Sequence, residues 1–365
     1  MRLVPQSSPY IRKNVSVKRM MLDVIIALMP VTLFAMIANG WNGIYVFIIS
    51  IVAMLLVEFI ANALIKWPKD MKFKELFSKE GFGKVKSTFT VNNITAPLIS
   101  ALIYALIMPA GCDWYVVLVG AIFGMLVGKM LFGGLGCNIF NPAAVGRIFV
   151  GICFGAQIGD AYTKVDTFTG ATPLGATKGN LTALGNYSLL DLFLGNIPGC
   201  MGEVSVLMIL IGAVYLFVRK SADIRACLGY IVSFGIIMLF GCIGAYVQYD
   251  KGNIMEMWLY QMMSGGLLFG AVFMITDPVT SPTSKFGRIC FASIAGIITA
   301  LIRVCGAYPE GVAFSILIAN MLAPTIDHFM RGKANHYNWK QWVGLSAVIL
   351  AVSAIVLVVT MGVSF

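Results

Sequence analysis

Residues 131–147 read LFGGLGCNIFNPAAVGR, and the reading of this stretch decides the fold. Three glycines and an Asn-Pro pair interrupt two apolar runs, which in a soluble domain would mark a surface loop. This chain is not composed like a soluble domain. It is 59% hydrophobic and 12% charged over 365 residues, whereas soluble domains are about 25% charged. Its mean hydropathy is +0.88. A helix interrupted by Gly or Pro is tolerated within a membrane where neighbouring helices or a cavity satisfy the freed backbone groups. The stretch therefore reads as a broken membrane helix.

Working outward, apolar runs of membrane-spanning length recur along the chain. Eleven spans are expected, at roughly 20–38, 44–65, 93–109, 114–133, 138–156, 203–218, 226–248, 256–275, 287–304, 310–327 and 342–364. The N-terminal MRLVPQSSPYIRKNVSVKR is too long and too polar for a cleavable signal peptide. With the N-terminus placed inside, 20 of the 26 Lys and Arg residues fall on one side, in segments 1–19, 66–92, 219–225, 276–288 and 328–341. Only Lys164, Lys178 and Lys251 fall in the opposite loops, while Lys129, Arg147 and Arg303 sit in or at the ends of helices. This bias predicts a cytoplasmic N-terminus and an external 157–202 loop. It also accounts for the net charge of +10 without a nucleic-acid partner.

A second stretch, MITDPVTSPTSKFGR (274–288), repeats the break of the first. PLISALIYALIMPAG resembles QMMSGGLLFGAVFMITDP in small-residue pattern and terminal Pro, and VLVGAIFGMLVGKMLFGGLG resembles ICFASIAGIITALIRVCGAYPEG. Five spans per copy force the second copy upside down, the inverted-repeat arrangement of many transporters. The expected fold is therefore all-α and polytopic: ten core transmembrane helices as two inverted five-helix repeats, over 20–156 and 203–328. Residues 1–19 form a cytoplasmic segment, and 329–365 a cytoplasmic loop with an additional C-terminal helix.

Half-helix N-termini within a membrane aim N–H groups at anions, and unwound carbonyls hold cations. Asn141-Pro142 and Asp277-Pro278 are the focal pairs, although such pairs also make ordinary caps and turns. Among intramembrane ionisable groups, which are costly and often functional, Glu58 is the candidate for a proton or cation relay. Asp23 and Lys129 lie close enough to the inner interface to snorkel. Glu58, Asn141 and Asp277 are thus the ion-pathway candidates. The eight cysteines form no CxxC or Cys/His cluster, so no metal site is expected, and Cys153, Cys227, Cys242, Cys290 and Cys305 read as small buried hydrophobes. Two histidines, His328 and His336, argue against a His-ligated haem. Trp41, Trp114 and Trp258 read as interface anchors.

The longest polar gap contains VDTFTGATPL, Val165 to Leu174. Its pattern D-x-x-T-G-A-T resembles the acceptor sequence of bacterial membrane flavoproteins, in which a flavin transferase links FMN through its phosphate to the final Thr. The Thr hydroxyl attacks FAD, AMP leaves, and a phosphodiester remains. The resemblance implies Thr172 as acceptor, with Asp166, Thr169, Gly170 and Ala171 as recognition positions for the transferase. The small Gly170 and Ala171 on an exposed loop suit approach by a large enzyme pocket.

SSPYIRKNVSVKRMMLDVIIALMP, GKMLFGGLGCNIFNPAAVGRIFVGI, GAVFMITDPVTSPTS and GAYPEGVAFSILIANMLAPTID look like the D subunit of the Rnf electron-transport complex, related to the B subunit of the Na+-translocating NADH:quinone reductase. The resemblance covers about residues 7–330. The start of the chain near the SPY motif favours the Rnf side, since the quinone reductase protein carries a longer N-terminal extension. The resemblance implies ferredoxin:NAD+ oxidoreductase activity coupled to Na+ or H+ movement, other Rnf subunits as partners, a urea-transporter-like fold, covalent FMN and a non-covalent riboflavin. It implies no catalytic side chain, since the flavin is the redox group. The repeat taken alone points instead to a small-solute channel or transporter.

Overall fold

The computed structural model describes residues 16–65, 91–164, 172–178, 180–182, 184, 187–203, 205–306, 311–330 and 339–362. Among them there is no β-strand. Helix α1 (Val17–Ile65) runs 49 residues. A straight helix of that length would be about 70 Å long, more than twice the thickness of a bilayer core. Gly40 divides it, with φ 53° and ψ −136°, so that two helices meet there. Only glycine adopts that backbone without strain. The two arms match the expected spans 20–38 and 44–65.

The chain continues through α2 (Asn92–Leu106), α3 (Trp114–Gly128), α4 (Pro142–Cys153), α5 (Gly155–Lys164), α6 (Pro173–Thr177) and α7 (Leu189–Leu194). After these come α8 (Val206–Arg219), α9 (Ile224–Tyr249), α10 (Ile254–Met263), the short α11 (Leu267–Phe269), α12 (Lys285–Cys305), α13 (Val312–Phe329) and α14 (Trp339–Thr360). Among the described residues six helices are long and apolar enough to cross a membrane, or up to eight if each bent pair counts as one span. The remaining α2 and α8 are shorter apolar helices.

Two of the expected spans bend at places other than the Gly/Pro stretches singled out in the sequence. The expected 138–156 span is helical only from Pro142 to Cys153. Phe154 then leaves helical geometry, and α5 departs at 99° to α4. The 256–275 span stops at Met263, crosses Ser264-Gly265-Gly266, and resumes at 55° through α11 and a π turn over Gly270–Met274. Gly265 has φ +68°.

Small residues let the helices approach closely, as is usual in membranes. Gly120, Gly124 and Gly128 form a stripe along α3 that receives α4. A Cβ on Gly124 would lie 2.5 Å from the Pro142 carbonyl oxygen, and one on Gly128 2.8 Å from Pro142 Cα. In return, a Cβ on Gly146 would lie 2.6 Å from the Gly120 carbonyl oxygen. This fixes the break after Gly136 directly against α3. The C-terminal helix α14 docks on α9 in the same way, because a Cβ on Gly244 would meet the Leu357 carbonyl oxygen at 2.7 Å.

Two charged residues expected to snorkel are instead buried and paired. Lys129 Nζ lies 2.9 Å from Glu58 Oε2, and both side chains are at most 3% exposed. Asn62 Nδ2 donates to Glu58 Oε1 at 2.9 Å. Asp23 is 4% exposed. It accepts from Tyr215 Oη, from the Arg219 guanidinium and from Ser221 Oγ, tying α1 to α8. A charge cannot stay unpaired away from water, so helix packing supplied partners that local sequence does not show. Asp223, the N-cap residue just outside α9, accepts from Arg288 Nη1 of α12 at 2.7 Å. Burial pulls the Asp223 carboxyl upward, but the Arg288 and Arg225 bonds hold it below the usual carboxylate range.

The cysteines divide differently from the expectation. Cys227 and Cys242 are buried and Cys290 is half-buried, whereas Cys153 and Cys305 are exposed on the protein surface. Trp41 and Trp114 are exposed, as interface anchors should be. Trp258 is not, because its Nε1 donates to the Gly235 carbonyl at 2.7 Å.

Candidate functional site

The broken segments α4 and 264–279 border two cavities, towards opposite ends of α4. The first, about 100 Å3, lies at the end where α1 begins. It is lined by Lys129, Asn138, Asn141, Ser221, Thr276 and Asp277, together with apolar residues of α1, α2 and α8. Asn141 caps α4, its Oδ1 accepting from Ala143 N at 3.0 Å and Ala144 N at 3.4 Å. Asp277 closes a turn, accepting from Val279 N at 3.1 Å and Thr280 Oγ1 at 3.2 Å. Both focal residues therefore do the structural work that their sequence permits, and both also face the cavity. Lys129 joins Glu58 to this cavity through the buried ion pair, so the ionisable groups of α1 and α3 meet the two breaks in one place.

The second cavity, about 340 Å3, lies at the other end. Polar groups from four parts of the chain line it: Arg147 of α4, Tyr162 of α5, Thr172, and Cys200 with Glu203. Ile107, Phe269 and Phe314 supply apolar wall. Arg147 Nε donates to the Ile107 carbonyl at 2.9 Å, closing the end of α2. Its Nη2 donates to Tyr162 Oη at 3.2 Å, and Tyr162 Oη lies 3.0 Å from Cys200 Sγ. Glu203 Oε1 accepts from Cys200 N at 2.7 Å. Arg147, Tyr162, Cys200 and Glu203 thus form one linked wall.

Thr172 stands at the N-cap of α6, and its Oγ1 accepts from Gly175 N at 3.2 Å. Accepting uses a lone pair and leaves the O–H bond available for esterification. Pro173 and Leu174 are buried. Gln261 Nε2 donates to Thr177 Oγ1 at 3.1 Å, pinning α6 to α10. Arg303 Nη1 donates to the Gln261 carbonyl at 2.7 Å and Nη2 to the Ser264 carbonyl at 3.1 Å, satisfying the backbone freed by the α10 break. The last part of the polar motif is therefore seated on the second broken helix. Asp166, Thr169, Gly170 and Ala171 lie outside the described residues.

Sequence reading singles out Thr172, Asn141, Asp277 and Glu58 but not Tyr162, Cys200, Glu203 or Gln261. Nothing in local sequence marks those four. Arg147 and Arg303 do carry a signal, as basic residues within apolar spans. Among the described residues no group of His, Cys, Asp and Glu is arranged to hold a metal ion.

The model of the NQR2, RnfD, RnfE family matches residues 4–335. The chain belongs to that family. Among its relatives is the D subunit of the Na(+)-translocating ferredoxin:NAD(+) oxidoreductase complex of Acetobacterium woodii, 33% identical over 91% of this chain and 94% of that protein. The D subunit of the ion-translocating oxidoreductase complex of Stutzerimonas stutzeri is 30% identical over 87% of this chain and 92% of that one. The B subunit of the Na(+)-translocating NADH-quinone reductase of Chromohalobacter salexigens is 42% identical, but over 63% of this chain and 57% of its own length. Within the NQR2, RnfD, RnfE family the D-type proteins thus match end to end. The chain spans little more than half of the quinone reductase protein. Both kinds of relative are named as parts of ion-translocating redox complexes.

Proposed function

We propose that this chain is the D-type membrane component of an ion-translocating ferredoxin:NAD+ oxidoreductase, and that Thr172 carries FMN through a phosphodiester. The end-to-end match to D-type proteins supports the assignment. The observation that carries the flavin reading is the position of the Thr172 hydroxyl, on the rim of a 340 Å3 cavity and with its proton uncommitted among the described hydrogen bonds. Ligand cavities run from about 300 to 1,000 Å3, so the space suits one fused ring system. Tethered FMN supplies exchange of one or two electrons.

The chain's own residues have supporting roles. Thr172 is an anchor and neither acid, base nor nucleophile in turnover. Gln261 and Arg303 hold the anchor against the α10 break. Ile107, Phe269 and Phe314 exclude water from the cavity wall. The paired breaks in α4 and in α10–α11 support an architecture of two inverted five-helix repeats, over 20–156 and 203–328, with α14 appended. The positive-inside bias supports an external 157–202 loop, to which a flavin transferase has access. Coupled movement of Na+ or H+ is assigned to the smaller cavity, with Asn141 and Asp277 as the groups that contact the ion and Glu58 acting on it through Lys129. Other proteins of the complex complete the electron path.

The test is to produce the full chain together with a flavin transferase, denature it, and look for flavin fluorescence on a gel and an FMN adduct by intact mass. Wild type is expected to show both and Thr172→Ala neither. A wild-type chain with no adduct would sink the flavin reading. That result would favour a small-solute channel, a reading to which the two cavities between the broken helices also lend support.

A further inference from the structure

We infer that Arg147 is a positioning residue for flavin redox chemistry: its guanidinium faces the ring held at the Thr172 cavity and stabilises the negative charge that reduction places there. This rests on the flavin reading above. The argument for Arg147 itself comes from the cavity wall.

Three observations converge on it. Arg147 lines the 340 Å3 cavity that Thr172 also borders. Its side chain is fixed at two points, by the Ile107 carbonyl at 2.9 Å and by Tyr162 Oη at 3.2 Å. Tyr162 is in turn held by Cys200 Sγ at 3.0 Å. A planar guanidinium so held is pre-organised and keeps its charge at any working pH. Fixed charge beside the ring is one of the few levers by which a protein tunes a flavin.

When FMN is bound, two electrons delivered through the complex and one proton from solvent would leave the ring as a monoanion. No bond to the protein forms or breaks. A fixed cation nearby favours that product over the neutral oxidised ring and so raises the midpoint potential. Glu203 lies on the same wall, its Oε1 accepting from Cys200 N at 2.7 Å.

The experiment is an equilibrium redox titration, followed by visible absorbance, of the purified full chain carrying FMN confirmed by mass. Arg147→Met is expected to lower the reduced-to-oxidised ratio at fixed potential at least tenfold, about 30 mV for a two-electron couple. Arg147→Lys should recover part of the shift, since it restores the charge without the fixed fork. Tyr162→Phe, which removes one of the two restraints, should shift the potential in the same direction by less. An unchanged midpoint in flavinylated Arg147→Met would assign Arg147 to the flavin phosphate or to the end of α2 alone, and would overturn the inference. Loss of attachment in all three variants would overturn it equally, by placing the wall in attachment or folding. A wild-type chain without FMN is a failure of the underlying reading and is recognised separately, by mass.

Discussion

Lys129 and Glu58 illustrate how a single residue's role depends on what the helices bring to it. Each sits in an apolar run where an isolated charge would cost several kcal/mol. Together, 2.9 Å apart and almost wholly buried, they form a pair between α1 and the end of α3. Asn62 continues to find an acceptor if Glu58 becomes Gln, so Glu58→Gln isolates the effect of charge. It strands Lys129 and is expected to destabilise the protein by about 3–5 kcal/mol, read as a lowered unfolding temperature in detergent. The double variant Glu58→Gln/Lys129→Met should recover most of that loss. If it does not, the pair is not what holds these positions.

At the scale of elements, glycine decides where helices lie. The α3 stripe accepts α4 backbone to backbone, which places Pro142 against Gly124 and Gly128. Adding one methyl group at Gly124 forces the two helices apart, because the new atom would sit 2.5 Å from a carbonyl oxygen that has no rotamer to escape into. Gly124→Ala is expected to cost about 1–3 kcal/mol, the range for overpacking. Gly159 in α5 is a matched control: a Cβ there has nothing within 4 Å. Gly159→Ala should be neutral in the same thermal assay, and equal losses at both positions would refute the packing argument.

For the whole molecule, the two cavities and the breaks that border them are the organising feature. α4 starts at the smaller cavity with Asn141 and passes the larger with Arg147, and the 264–279 segment touches both. Any change in the second cavity can thus be transmitted to the first along two elements rather than through a chain of loops. In proteoliposomes holding the purified complex, Asp277→Asn and Asn141→Ala are each expected to reduce ion movement at least tenfold per electron transferred. They should do so while the flavin stays attached. Ion flux at wild-type rates in the double variant would move the pathway elsewhere.

Composition and periodicity were enough to read the helices. The eleven expected spans coincide with the apolar helices to within a few residues at most ends, because a membrane leaves a long apolar run almost no alternative to helix. The motif singles out Thr172 in the sequence as the proposed anchor, since attachment chemistry depends on a short local pattern. Where spans 138–156 and 256–275 bend was not legible, because a Gly or Phe that leaves helical geometry does so only when a neighbour, here Arg303 for the α10 break, takes up the freed carbonyls. Nor could the sequence pair Lys129 with Glu58, Asp23 with Arg219, or Arg147 with Tyr162. Those partners are 15 to nearly 200 residues apart, and only tertiary packing, by removing water from both members of a pair, makes one the necessary complement of the other.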